Sequence, residues 1–288
     1  MASYAMRRMK DRLFFFLGIA CIVLAVLPLG SILVEVIVNG LPLLSALFLT
    51  SVPGIGGADI GGIGPAIQGS LILIGLTSLI GIPLGVLSGI YLAEYGETRY
   101  AHLMRTINDV LTEFPSIVVG LTVFIIVVLR EGVSLGLGFS PLSGAIALSF
   151  ILIPIVARTS EEAIKLVPNA LREASLALGV RRWKTTMRVV LGVAKAGLVT
   201  GILLAVARVA GETAPLILTV LGNTHFFQGF NQPIAALPLQ IYTDALAPDP
   251  GIQARAWGAA LVLILIVLSL NIVVRLASRN RMGSSVRK

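Results

Sequence analysis

Six long apolar runs, each close to the length of a membrane-spanning helix, constrain this chain more than any other feature. They cover residues 13–38, 66–93, 115–129, 142–157, 196–221 and 257–276. About 20 apolar residues in a helix cross the roughly 30 Å of bilayer hydrocarbon. No water reaches that depth, so backbone N–H and C=O groups must bond within the segment. Continuous runs are therefore helices, whereas barrel strands alternate over about ten residues. Composition agrees, with 56% hydrophobic and 12% charged residues and a mean hydropathy of +0.96. This excludes a disordered chain and a soluble enzyme of ordinary composition. With Cys21 the single cysteine, it also excludes a disulfide-stapled secreted domain. The third and fourth runs are short, and their ends are expected to extend into flanking polar residues. The basic start resembles a signal peptide, but its apolar run is too long and no small-x-small site follows, so it reads as a retained span.

The net charge of +8 would suggest nucleic acid in a soluble protein. Here the cations flank apolar runs and set topology instead. Arg7, Arg8, Lys10 and Arg12 precede the first run, and Arg99 and Arg105 follow the second. Lys165, Arg172, Arg181, Arg182, Lys184, Arg188 and Lys195 separate the fourth from the fifth, and Arg275, Arg279, Arg281, Arg287 and Lys288 close the chain. Only Arg130 and Arg255 fall on the other side. Both termini and the second and fourth loops are expected in the cytoplasm. The outer loops, residues 39–65 and 222–255, are rich in Gly and Pro, including Gly54, Gly56, Gly57, Gly61, Gly62 and Gly64, and read as irregular.

Charges inside spans cost about 2.5–3.5 kcal/mol each on the insertion scale, so they mark cavities or partners. Arg208 lies near the middle of the fifth run, with Glu212 four residues on. In a continuous helix both share one face. The bland account is a mutually neutralising pair. The functional one is an oxyanion station, because a guanidinium offers five donors in a planar fork. Arg158 and Glu161 stand three residues apart at the end of the fourth run, followed by Glu162. Snorkelling explains Arg158 equally well. Glu113, just before Pro115, is expected to satisfy the amino terminus of the third span. Residues 165–195 read as an amphipathic helix carrying Leu171, Glu173, Ala174 and Leu178, with Gly179 as its stop. It lies on lipid or docks on a cytoplasmic partner. No Gly-rich loop ending in Lys-Ser/Thr occurs, so any ATP that drives the chain is bound by a partner.

Glu173-Ala174-Ser175-x3-Gly179, followed by Val189-x-Leu191-Gly192, resembles the Glu-Ala-Ala loop of ABC importer permeases. Ser175 replaces the second Ala of that pattern, Val189 its Ile and Gly192 its Pro. Further stretches resemble the PstA-type permeases of phosphate-specific ABC importers. These are Ile82-Pro83-Leu84-Gly85 with Tyr91-Leu92-Ala93-Glu94-Tyr95, and Pro115-Ser116-Ile117-Val118-Val119-Gly120-Leu121. Three more complete the set: Arg158-Thr159-Ser160-Glu161-Glu162-Ala163, Ala207-Arg208-Val209-Ala210-Gly211-Glu212-Thr213-Ala214-Pro215, and Leu237-Pro238-Leu239-Gln240-Ile241-Tyr242.

The resemblance implies an all-α integral membrane protein with six transmembrane helices, the type I ABC importer permease fold and a cytoplasmic coupling helix. Residues 1–65 would hold the first span and Gly-rich outer loop. Residues 66–288 would form the permease core, with the coupling loop at about 158–195. It implies a PstC-type homologous permease, an ATPase dimer that binds ATP and Mg, and an extracytoplasmic phosphate-binding protein as partners, with membrane lipid and no nucleic acid. No cofactor and no metal belong to this chain on that reading, which makes it a non-catalytic transport subunit. Arg158, Glu161 and Arg208 correspond to the family's charged translocation residues, with Glu212 in the same motif. Glu173, Ala174 and Gly179 correspond to the surface that meets the ATPase. The residues alone leave three other readings open: a permease for sulfate, molybdate or phosphonate, an ion-coupled secondary transporter, and a phosphate sensor.

Overall fold

The computed structural model describes residues 4–56, 59–129 and 135–282. Gly57, Arg130, Arg287 and Lys288, which enter the readings above, lie outside the described residues. In chain order the helices are α1 (Tyr4–Gly40), α2 (Ala46–Thr50), α3 (Gly64–Glu94), α4 (Arg99–Glu113), α5 (Ser116–Val123) and α6 (Pro141–Lys165). Then follow α7 (Asn169–Ala177), α8 (Arg182–Lys184), α9 (Leu191–Ala210), α10 (Ala214–Thr219), α11 (Leu237–Ala245) and α12 (Pro250–Met282). A π-helical segment, Phe124–Val128, extends α5, and another, Thr185–Val190, joins α8 to α9. Among the described residues, five helical stretches are long and apolar enough to cross a bilayer: Arg8–Leu43, Gly64–Glu94, Pro141–Lys165, Arg182–Ala210 and Pro250–Leu276.

The third span departs from expectation. Its helix does not extend into the preceding polar residues, because the chain bends by 104° between Arg99–Glu113 and Ser116–Val128. Pro115 has no N–H to continue a helix and pushes Phe114 out of the helical region, to φ −66 and ψ 133. Glu113 is thus the last residue of α4 and does not open a span. The fourth span does extend, through Lys165.

The centre is α3 packed on α6. Gly81, Gly85 and Gly89, one per turn, let the helices touch. A Cβ at Gly85 would fall 2.7 Å from the Val156 Cβ, and one at Gly89 2.5 Å from the Ser160 Cβ. The core around this seam joins Leu73, Leu152, Val156, Ala205, Val209 and Leu216. α12 packs on α1 and α9. α1 is otherwise apolar and exposed, as befits lipid contact.

The end opposite the basic loops is more ordered than its composition suggested. Strands β1 (Pro53–Gly56) and β2 (Asp59–Gly61) form an antiparallel hairpin. Arg255, expected in a loop, lies in α12 and anchors that hairpin. Its Nε and Nη2 donate to the Asp244 carboxylate at 2.7 and 2.9 Å. Its Nη1 donates to the carbonyls of Gly54 and Ile60 at 3.0 and 2.7 Å. The later outer loop is stapled to α3, where Ser70 Oγ accepts from the Leu237 N–H at 2.7 Å and Gln68 from Phe227 at 2.8 Å.

Candidate functional site

The fifth span is broken beside its arginine. α9 runs from the basic end until Val206 and Val209 lie against Ile74, Thr77 and Leu152. Leu152 is eleven residues into α6, about 17 Å along its axis and so near mid-span. There the helix stops, with the Gly211 N–H donating to the Arg208 carbonyl at 3.2 Å and Glu212 to Val209 at 3.1 Å. α10 restarts at Ala214. In an unbroken helix the Pro215 ring would strike the Gly211 carbonyl and leave it without a donor, so residues 211–213 leave helical register.

Arg208 therefore occupies the last turn of α9, where orphan carbonyls favour a cation. Glu212 lies past the helix end. The two do not share a helical face as expected and, among the described residues, form no ion pair. Arg208 and Gly211 are exposed, and Glu212 and Thr213 half-exposed. Irregular backbone at this depth is not tolerated against lipid, so this face borders a water-filled cavity or another protein.

Arg158 lies nearer the basic end, on α6 beside α4. A Cβ at Gly201 would fall 2.7 Å from the Thr159 Cβ, and one at Gly197 3.0 Å from that of Ala163, so this face of α9 rests on α6. Arg208 is seven residues beyond Gly201, placing it roughly 10 Å deeper than Thr159 and its neighbour Arg158. The Arg158 side chain is 63% exposed and pairs loosely with Glu162 at 3.5 Å and Asp109 at 3.9 Å. It does not pair with Glu161, as the spacing had suggested. Glu161 turns away, its side chain only 9% exposed, and accepts from Arg105 at 2.7 Å and Lys165 at 2.6 Å. The bend at Pro115 carries α4 against α6, and Arg105 then claims Glu161. These groups line a cavity of about 230 Å³ that includes Arg105, Asp109, Arg158, Glu161 and Glu162.

The third group of expected residues sits on α7. Only Asn169–Ala177 forms this helix, not the whole of residues 165–195, and the chain ascends again from Arg182. Gly179 ends it in the left-handed region, φ +74, with its N–H donating to Leu176 at 2.9 Å. Glu173, Ala174 and Gly179 are exposed, as are Leu166 and Leu178 at 84% and 83%. Ser175, the departure from the Glu-Ala-Ala pattern, is buried with its hydroxyl 2.9 Å from that of Thr185.

Sequence reasoning did not single out Glu94, Arg105 or Asp244 as partners, because each contact joins different helices. Arg172 and Arg255 entered only as topology charges. Arg172 in fact bonds Glu94 and the Ile164 carbonyl.

Comparison with known proteins now bears on this arrangement. Residues 81–281 match the family described as binding-protein-dependent transport system inner membrane component. The chain is 42% identical over 272 residues to the phosphate transport system permease protein PstA of Haemophilus influenzae, covering 94% of each. It is 39% identical to the probable phosphate transport system permease protein PstA of Methanocaldococcus jannaschii, covering 95% of each. Among solved structures, a chain of a bacterial ABC transporter that imports the acidic polysaccharide alginate superposes with a TM-score of 0.68 at 16% identity. That match covers 94% of this chain and 96% of that one, and it establishes the permease fold.

Proposed function

Because this chain belongs to the binding-protein-dependent transport system inner membrane component family, we propose that it is the membrane-spanning permease subunit of an ATP-driven phosphate importer. The observation that carries the reading is the broken fifth span. An exposed guanidinium stands there at mid-depth beside open backbone, which membrane physics confines to a transport path or a protein interface. The identity to PstA relatives over nearly the whole chain supports phosphate as the substrate.

The basic end faces the cytoplasm, with both termini there. A PstC-type permease covers the open face that carries Arg208 and Arg158, and the path runs between the two subunits. An ATPase dimer, which binds ATP and Mg, docks on the exposed side of α7 through Glu173, Ala174 and the turn at Gly179. An extracytoplasmic phosphate-binding protein delivers the ion to the hairpin end. ATP-driven closure pushes α7 and rocks the two permeases between inward-open and outward-open states. Phosphate meets Arg208 first and Arg158 as the path opens inward. Arg158 is held only loosely by Glu162 and Asp109, so it is free to exchange a carboxylate for phosphate oxygens. Glu212, beside the break, discourages tight capture, since conduction needs easy exit as well as entry.

The test is labelled-phosphate uptake by phosphate-starved cells lacking this chain and any second phosphate system. Restoration by the wild-type gene, undiminished by excess sulfate, is expected. Full uptake without the chain, or competition by sulfate, overturns the substrate assignment.

A further inference from the structure

Helix α7 is held to the spans at two residues only one turn apart. Arg172 bonds the Glu94 carboxylate at the end of α3, and its Nη2 donates to the Ile164 carbonyl in the last turn of α6 at 3.0 Å. Ser175 meets Thr185 on the segment that rises into α9. The Arg172–Glu94 pair is about four-fifths buried, with side chains 19% and 20% exposed, over a core of Ile164, Val167, Val190 and Ala194. A planar guanidinium serves acceptors from two helices at once, which an ammonium on a flexible stem does less well. The opposite face of α7, with Glu173 and Ala174, is exposed. A push on that face reaches α3 through Arg172, and α6 through Arg172 as well as through the short link at residues 166–168. Those two helices are already locked by Gly81, Gly85 and Gly89, and α6 carries Arg158.

We propose that Arg172 and Glu94 are positioning residues that transmit movement from α7 to the span ends, so that without this clasp ATP is hydrolysed and little substrate crosses. The inference rests on the reading that an ATPase docks on α7.

The experiment uses the full complex in proteoliposomes with its binding protein. Labelled-phosphate uptake is measured against ADP formed, because phosphate is also a product of hydrolysis. For Glu94→Gln, the ATPase is expected to co-purify in the wild-type ratio and to hydrolyse ATP. Phosphate taken up per ADP should fall about tenfold, the scale of one charge-assisted bond. Arg172→Lys should fall between the two. The exchange Glu94→Arg with Arg172→Glu should recover part of the ratio lost in either single reversal. It cannot recover all, because a carboxylate does not donate to Ile164. An unchanged ratio in Glu94→Gln overturns the proposal, as does loss of the ATPase from that variant, which would make the pair a docking element. A wild-type complex that hydrolyses ATP without phosphate uptake overturns the transport reading itself, and the clasp falls with it.

Discussion

Replacing Asp244 by Ala tests whether the outer end of the molecule is built on one buried ion pair. The Asp244 and Arg255 side chains are 8% and 6% exposed, so both charges are removed from water. Among the described residues, Asp244 supplies two of the four acceptors of the guanidinium, at 2.7 and 2.9 Å, and its one carboxylate. In Asp244→Ala, Arg255 keeps two carbonyl partners and loses its counter-charge. Removing one member of a buried pair costs about 3–5 kcal/mol, or roughly two to three and a half decades in the unfolding equilibrium. The double variant Asp244→Ala with Arg255→Leu removes the stranded charge as well, and should return to within about 2 kcal/mol of wild type. Reversible unfolding in mixed micelles, followed by tryptophan fluorescence, reads both, since Trp257 lies two residues from Arg255. A single-variant cost below about 1 kcal/mol, the range of exposed pairs, would refute the reasoning. So would a double variant less stable than the sum of the singles.

Other substitutions probe the seams and the turn at Gly179. Gly85→Val should destabilise by about 1–3 kcal/mol through overpacking against Val156. Gly75→Ala, where an added Cβ meets nothing within 4 Å, should be neutral or stabilising by up to about 1 kcal/mol; thermal unfolding in detergent distinguishes them. Gly179→Ala meets no atom either, so its cost of about 1–2 kcal/mol is purely that of the left-handed backbone. It should weaken ATPase co-purification, with Gly179→Asn recovering part. Glu161→Gln leaves Arg105 and Lys165 facing a neutral group and should loosen α4 from α6, read as faster hydrogen exchange over Arg99–Glu113 in the intact complex.

The spans were legible because burial in hydrocarbon requires continuous apolar helix, and Gly179 because a left-handed stop favours glycine. The two breaks were not legible. Pro28, Pro83 and Pro154 sit inside continuous helices, while Pro115 and Pro215 end them. A proline in an apolar run either kinks a helix or ends it, so its presence alone does not place a break. The ion pairs failed for a related reason. Spacing along one helix offers Arg158–Glu161 and Arg208–Glu212, but Arg105 arrives from a helix 56 residues away in sequence and takes Glu161. The break at residues 211–213 removes the face that Arg208 and Glu212 would have shared. Arg255 lay among loop residues in the linear reading, and only the fold brings it to Asp244 and the Gly54 and Ile60 carbonyls.

The central claim is that Arg208, exposed at mid-depth, belongs to the path of phosphate. Its most direct test is Arg208→Gln in the reconstituted complex, with labelled-phosphate uptake and basal ATP hydrolysis measured on the same preparation. Uptake is expected to fall more than about tenfold, the scale of one lost charge-assisted contact, while assembly and basal hydrolysis stay at wild-type levels. Wild-type uptake by Arg208→Gln would contradict the account.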